Sequence, residues 1–70
     1  MSEVRKRSVM IAGHPTSITL EEPFWAALKE LAAKEDIAVN TLIERIDAER
    51  TGNLSSAIRV FVLDAFRTRP

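Results

Sequence analysis

Alternating apolar and polar positions open the chain. In Ser8-Val9-Met10-Ile11, Val9 and Ile11 fall on one face, and in Thr16-Ser17-Ile18-Thr19-Leu20 so do Ile18 and Leu20. Successive strand side chains point to opposite faces, so Ser17 and Thr19 turn away from the face that carries Ile18 and Leu20. Gly13-His14-Pro15 between the two stretches has turn chemistry: a permissive glycine, and a proline with no N–H to give to a ladder. The segment reads either as a hairpin within one chain or as a strand preceded by an arm.

The period then changes from two to 3.6. Glu21-Glu22-Pro23 puts acids at the positive end of a helix dipole and proline near the first turn, where no hydrogen bond is lost. Trp25, Leu28, Leu31 and Ala32 recur three and four apart, with Phe24 widening the stripe, and this first helix should stop near Lys34 to Asp36. A second helix is predicted from Val39, with Leu42, Ile43 and Ile46 on its apolar face. Thr51-Gly52-Asn53 should end it, Gly52 through a left-handed conformation, while Asn53 caps the next element. Leu54 to Phe66 reads as a third helix with Leu54, Ala57, Ile58, Phe61, Val62 and Ala65 as its stripe. Val60 and Leu63 fall off that stripe, so the helix is apolar nearly all round.

That surplus matters because the chain has 70 residues. A chain of this size buries only roughly 60% of the surface its unfolded form exposes, and domains below about 70–80 residues usually lean on a disulfide, a metal or a partner. There is no cysteine and a single histidine, His14, which removes disulfides, thiolate sites and a histidine cage. Oligomerisation remains, and the expected state is a homodimer. The 46% hydrophobic and 29% charged fractions are those of a folded domain. No apolar run approaches the ~18 residues of a membrane helix, and Val9 to Ala12 is too short for a signal-peptide core. A cytoplasmic protein with no membrane partner is the expectation.

Ten basic and ten acidic residues cancel, but they are not evenly placed. Arg5, Lys6 and Arg7 make the first twenty residues basic. Glu21, Glu22, Glu30, Glu35, Asp36, Glu44, Asp47 and Glu49 outweigh Lys29, Lys34 and Arg45 in the middle. Arg50, Arg59, Arg67 and Arg69 against Asp64 make the last segment basic again. Bulk charge does not grip nucleic acid here; two basic ends could.

Catalysis has little material. His14 has no cysteine near it and there is no Gly-x-Ser-x-Gly elbow, so it reads as a solvent-facing turn residue. Ser55 and Ser56 stand where capping residues stand, and Glu21-Glu22 and Glu35-Asp36 stand at helix ends as dipole partners. So short a chain is also expected to leave no ~300 Å³ pocket for a small molecule. The reading is a non-enzyme with no catalytic residues, no metal, no cofactor and no small-molecule substrate.

The fold class expected is mostly α with a short β element: an N-terminal strand or hairpin and three helices, arranged like a ribbon-helix-helix protein. In that arrangement two chains form an intertwined homodimer, pairing their strands into a ribbon that enters the DNA major groove. Residues 1–7 would be a flexible basic arm and residues 8–67 a single domain with an extra C-terminal helix. Ser17 and Thr19 would face the base edges. Arg5, Lys6 and Arg7 would meet phosphates, and the amides of Val39 and Asn40, at the start of the second helix, would cap a phosphate oxygen.

The sequence also resembles a specific group. Lys6-Arg7-Ser8-Val9, Gly13-His14, Thr16-Ser17-Ile18-Thr19-Leu20-Glu21, Phe24-Trp25, Leu28, Leu42-Ile43, Ile46-Asp47 and the block from Asn53 to Leu63 are similar to the compact ribbon-helix-helix domain family found in many alphaproteobacteria. The resemblance runs from Lys6 to Phe66 and implies a dimeric fold and a DNA-binding role. Ala38-Val39-Asn40 resembles the second-helix start of phage-type repressors of this fold. Asn53-Leu54-Ser55-Ser56-Ala57 resembles the same feature, and in that register Asn53, Ser55 and Ser56 would meet phosphate with Arg59 nearby.

The departures define the alternative. Repressor strands commonly carry Arg, Lys, Asn or Gln toward the groove, whereas here the outward pair is Ser17 and Thr19, followed in parity by Glu21. Glu35 and Asp36 precede the second helix, and at ~5 Å from a phosphate each acid costs on the order of 1 kcal/mol in water-like dielectric. The leading expectation is a sequence-specific transcriptional regulator that binds double-stranded DNA as a homodimer. The alternative is the same scaffold without DNA binding, an adaptor dimer with a protein partner.

Overall fold

The strand periodicity is realised as a hairpin. The computed structural model describes residues 4–68, in the order β1 (Val4–Ile11), β2 (His14–Glu21), α1 (Glu22–Lys34), α2 (Val39–Glu49) and α3 (Leu54–Arg67). β1 and β2 pair antiparallel, from Val4 opposite Glu21 at the open end to Ile11 opposite His14 at the turn. Of the two readings left open by the sequence, the structure takes the hairpin. The ribbon of the described chain is formed by its own two strands.

The turn is Ala12-Gly13, one residue earlier than Gly13-His14-Pro15. Both residues have positive φ, 51° and 82°, the requirement of the two-residue type I′ turn whose twist matches its strands. Ala12 adopts a backbone that costs an L-residue about 1–2 kcal/mol, and the Glu44 carboxylate accepts a hydrogen bond from its N–H at 3.3 Å. His14 and Pro15 lie in β2. Counting alternate pairs from the turn, Pro15 falls where the backbone nitrogen faces away from β1, so no ladder bond is lost. β1 also begins earlier than alternation signalled. Residues 4–7, read as part of a basic arm, are its first half, and residues 1–3, the rest of that arm, lie outside the described residues, as does Arg69.

One face of the hairpin lies on the three helices. Val9, Ile18 and Leu20 from the strands meet Leu28 and Ala32 of α1, Leu42, Ile43 and Ile46 of α2, and Ile58 and Val62 of α3 in one core. Trp25, Phe24, Leu31 and Phe61 pack around it half-buried. All of these were apolar stripe positions in the sequence. A fully buried Leu or Ile here contributes roughly 1.5–3 kcal/mol relative to exposure.

Helix α1 ends in a Schellman turn. Ile37 donates to the Ala32 carbonyl at 3.1 Å and Asp36 to the Ala33 carbonyl at 3.0 Å, with Asp36 left-handed at φ 57°. This reverses the chain in four residues and starts α2 at Val39. The α2–α3 turn does not use a left-handed Gly52; among the described glycines only Gly13 has positive φ. Arg50 holds the turn instead, its Nε donating to Asp47 at 2.6 Å and another nitrogen reaching the Gly52 carbonyl. Asn53 caps α3 as expected, accepting from the Ser56 N–H at 3.1 Å.

Candidate nucleic-acid interface

Parity sorts the hairpin into two faces. The face away from the helices carries Lys6 opposite Thr19, Ser8 opposite Ser17, and Met10 opposite Pro15, all of them exposed; at the open end Val4 is exposed and Glu21 half-buried. Ser17 and Thr19 therefore share one surface, as the sequence predicted, and Lys6 joins them. Ser8 completes the surface and was missed. Its parity relative to Val9 was a sufficient signal. Two strands about 4.8 Å apart bearing four short or flexible polar side chains make a ribbon that a ~12 Å major groove admits.

The three cations of β1 do not act together. Arg5 and Arg7 have the inward parity, opposite Leu20 and Ile18. Arg5 is exposed although Leu20 opposite it is fully buried. Arg7 is committed within the chain: its guanidinium stacks 4.3 Å over the Trp25 ring and donates to Glu22 at 2.6 Å. Its Nε is buried without a hydrogen-bond partner, so the stack and the ion pair are what hold it. Arg5 and Lys6 are the cations that face solvent.

Both ribbon edges are clamped by the first turns of helices. On the β1 side, Asn40 of α2 accepts from the Met10 N–H at 3.1 Å and donates to the Met10 carbonyl at 2.7 Å, as a neighbouring strand would. Glu44, one turn on, takes the Ala12 N–H. On the β2 side, Ser55 of α3 accepts from the Thr19 N–H at 2.9 Å. Arg59, one turn on, donates to the Thr19 carbonyl at 3.1 Å and to Glu21 at 2.9 Å. The hydrogen bond from Arg59 holds the Glu21 carboxyl below its usual range, helped by a backbone hydrogen bond and the guanidinium charge.

The two helix starts proposed from sequence as rivals thus flank the same ribbon on opposite edges. They differ in what is left for a ligand. At α3 the Asn53, Ser55 and Arg59 side chains are occupied by the cap and the β2 edge. At α2 the N-cap is Ala38, with no side-chain cap, so the first-turn amides of Val39 and Asn40, both half-buried residues, lack the side-chain acceptor that α3 has, although the Asn40 side chain itself is engaged. Glu35, expected to repel phosphate near this turn, is paired with Arg45 at 2.7 Å.

An open groove of ≈ 470 Å³ lies between α2 and α3, with Ile46, Ala57, Val60 and Phe61 on its walls. This corrects the expectation that the chain leaves no such space. The off-stripe Val60 of α3 forms part of one wall, and no described residue covers it. Among the described residues no cluster of His, Asp or Glu could hold a metal ion, and no helix is long and apolar enough to cross a membrane.

A two-stranded ribbon with a polar solvent face is the kind of element that β-ribbon proteins use to enter a DNA groove. The ribbon-helix-helix domain family matches residues 4–66, and the chain belongs to that family, whose members usually bind DNA as dimers. No curated protein matches the sequence. Among solved structures, that of an uncharacterized protein from Bordetella pertussis Tohama I is similar, with 33% identity, a TM-score of 0.81 and 94% of this chain covered. This chain spans 58% of that protein's length.

Proposed function

We propose that the protein is a sequence-specific, DNA-binding transcriptional regulator that acts as a homodimer in the cytoplasm. The observation that carries this reading is the outer face of the hairpin. Lys6, Ser8, Ser17 and Thr19 project from it into solvent, on a ribbon that needs none of them for its core. Exposed polar side chains in facing pairs on a rigid ribbon suit base-edge recognition, with Ser17, Thr19 and Ser8 bonding to bases. Lys6 and Arg5 supply phosphate contacts, and the uncapped amides of Val39 and Asn40 supply a further one that fixes register without reading sequence. Two copies double this set.

The second reading, a dimer that engages a protein and not DNA, is favoured by one observation. Arg7 and Arg59 are spent on Glu22 and Glu21, which leaves few cations for a chain of zero net charge. Selection of labelled genomic fragments at several salt concentrations separates the two. The regulator reading expects a bound subset whose affinity falls linearly on a log-log salt plot, by roughly 0.9 per phosphate neutralised. Affinity weaker than about 100 μM for every fragment at about 50 mM salt, below even ordinary non-specific binding, would leave the protein-binding dimer.

A further inference from the structure

We propose that Met10 selects thymine, its side chain resting on the C5 methyl of a thymine in the major groove about two base steps from the base that Ser8 and Ser17 bond. The inference rests on the DNA-binding reading above and deepens it, adding an apolar contact, and with it a base identity, to the hydroxyls of the ribbon.

The outer face of the hairpin changes character along its length. Lys6 with Thr19 and Ser8 with Ser17 are polar pairs, whereas the pair nearest the turn is Met10 with Pro15, both exposed. At the opposite end Val4 faces Glu21, so the apolar pair is confined to the turn end. The count that turns the Pro15 nitrogen away from β1 makes this a non-hydrogen-bonded pair, in which facing side chains stand closest, with Cα atoms about 4.5 Å apart. Met10 and Pro15 therefore form one small apolar tip. It has no part in the core, and half of Met10 is open to solvent.

The tip is nevertheless held in place. Asn40 engages both the N–H and the carbonyl of Met10, which fixes the backbone beneath the exposed side chain. Chemistry then selects the target. Neither side chain donates a hydrogen bond, and a thioether accepts only weakly, so the tip cannot read the polar edge of a base. Among the major-groove edges the apolar feature is the thymine methyl, and an unbranched, polarizable methionine adapts to such a contact. Spacing gives the place. Two residues along a strand advance about 6.7 Å and successive bases of one DNA strand about 3.4 Å, so one outward pair corresponds to about two base steps.

Fluorescence anisotropy of a selected fragment in which single thymidines are replaced by deoxyuridine tests the proposal, because the exchange removes only the methyl. The parent should lose affinity about 4-fold at one thymine per bound copy, as expected for one buried methyl. Met10→Ala should bind the unmodified fragment at least as much more weakly and show no further loss from that exchange. Met10→Leu, apolar and of similar volume, should keep the sensitivity. Each comparison sets two fragments against one protein preparation, so a change in the folded fraction cancels. A parent indifferent to every exchange, or a Met10→Ala that keeps the full penalty, overturns the inference and leaves the DNA-binding reading standing. A parent that binds no fragment overturns both.

Discussion

The side chain of Asn40 exchanges two hydrogen bonds with the backbone of Met10, thirty residues earlier, accepting at 3.1 Å and donating at 2.7 Å. A carboxamide offers a donor and an acceptor side by side, as a peptide group does, so α2 takes the place of a third strand. Each of these bonds contributes about 0.5–1.5 kcal/mol. Together they fix where the uncapped start of α2 stands relative to the ribbon.

Asn40→Ala should therefore destabilise the fold by about 1–3 kcal/mol, read as a lower urea midpoint. Asn40→Asp keeps the acceptor for the Met10 N–H but sets a second oxygen against the Met10 carbonyl, and should be no better than alanine near neutral pH. Rescue by Asp would show that only the acceptor matters.

The Arg7 guanidinium is engaged within the chain by Trp25 and Glu22, so its replacement is expected to act on stability first. Arg7→Gln loses the Trp25 stack and the Glu22 ion pair, which at these partly exposed positions contribute about 1–2 kcal/mol together. Tryptophan fluorescence should change with it, since Trp25 is the only tryptophan. The salt dependence of DNA binding should not change. A flattened salt plot for Arg7→Gln would return this arginine to the phosphate contacts.

The Glu21–Arg59 pair gives a pH dependence of known sign. Because the folded Glu21 carboxyl sits below the ordinary value of a free glutamate, its contribution is fully present above that value and is lost as pH falls through the lower folded value. Carbon-detected NMR titration should place Glu21 below the ordinary value of a glutamate carboxyl, and Arg59→Gln should move it back up. An ordinary Glu21 titration in the parent protein would remove the pair from the account.

Most of the architecture was readable from periodicity. The inward set Val9, Ile18 and Leu20, the helix stripes and the Asn53 cap arise from short-range spacing, which the core then reproduces. The turn was misplaced because Ala12 takes a positive φ that local preference disfavours and that the hairpin as a whole requires. Gly52 failed as a left-handed stop because Arg50 makes the turn with its side chain. The site was legible only in part. Ser17 and Thr19 come from parity, whereas the clamps join residues 30 to 40 positions apart, and no local pattern encodes such a distance. The splitting of Arg5, Lys6 and Arg7 between two faces needed β1 to begin at Val4, and a run of three cations hides alternation.

On the proposed reading, the outer face of the hairpin reads DNA. The most direct test is fluorescence anisotropy of a selected fragment with the parent and with Ser17→Ala/Thr19→Ala, two exposed positions whose loss should leave folding intact. With two copies bound, four hydroxyls at about 0.5–1.5 kcal/mol each should weaken specific binding by at least about 30-fold. Binding to a scrambled fragment should hardly change, because phosphate contacts are untouched. Equal affinity of both proteins for the selected fragment would contradict the claim and place recognition elsewhere on the molecule.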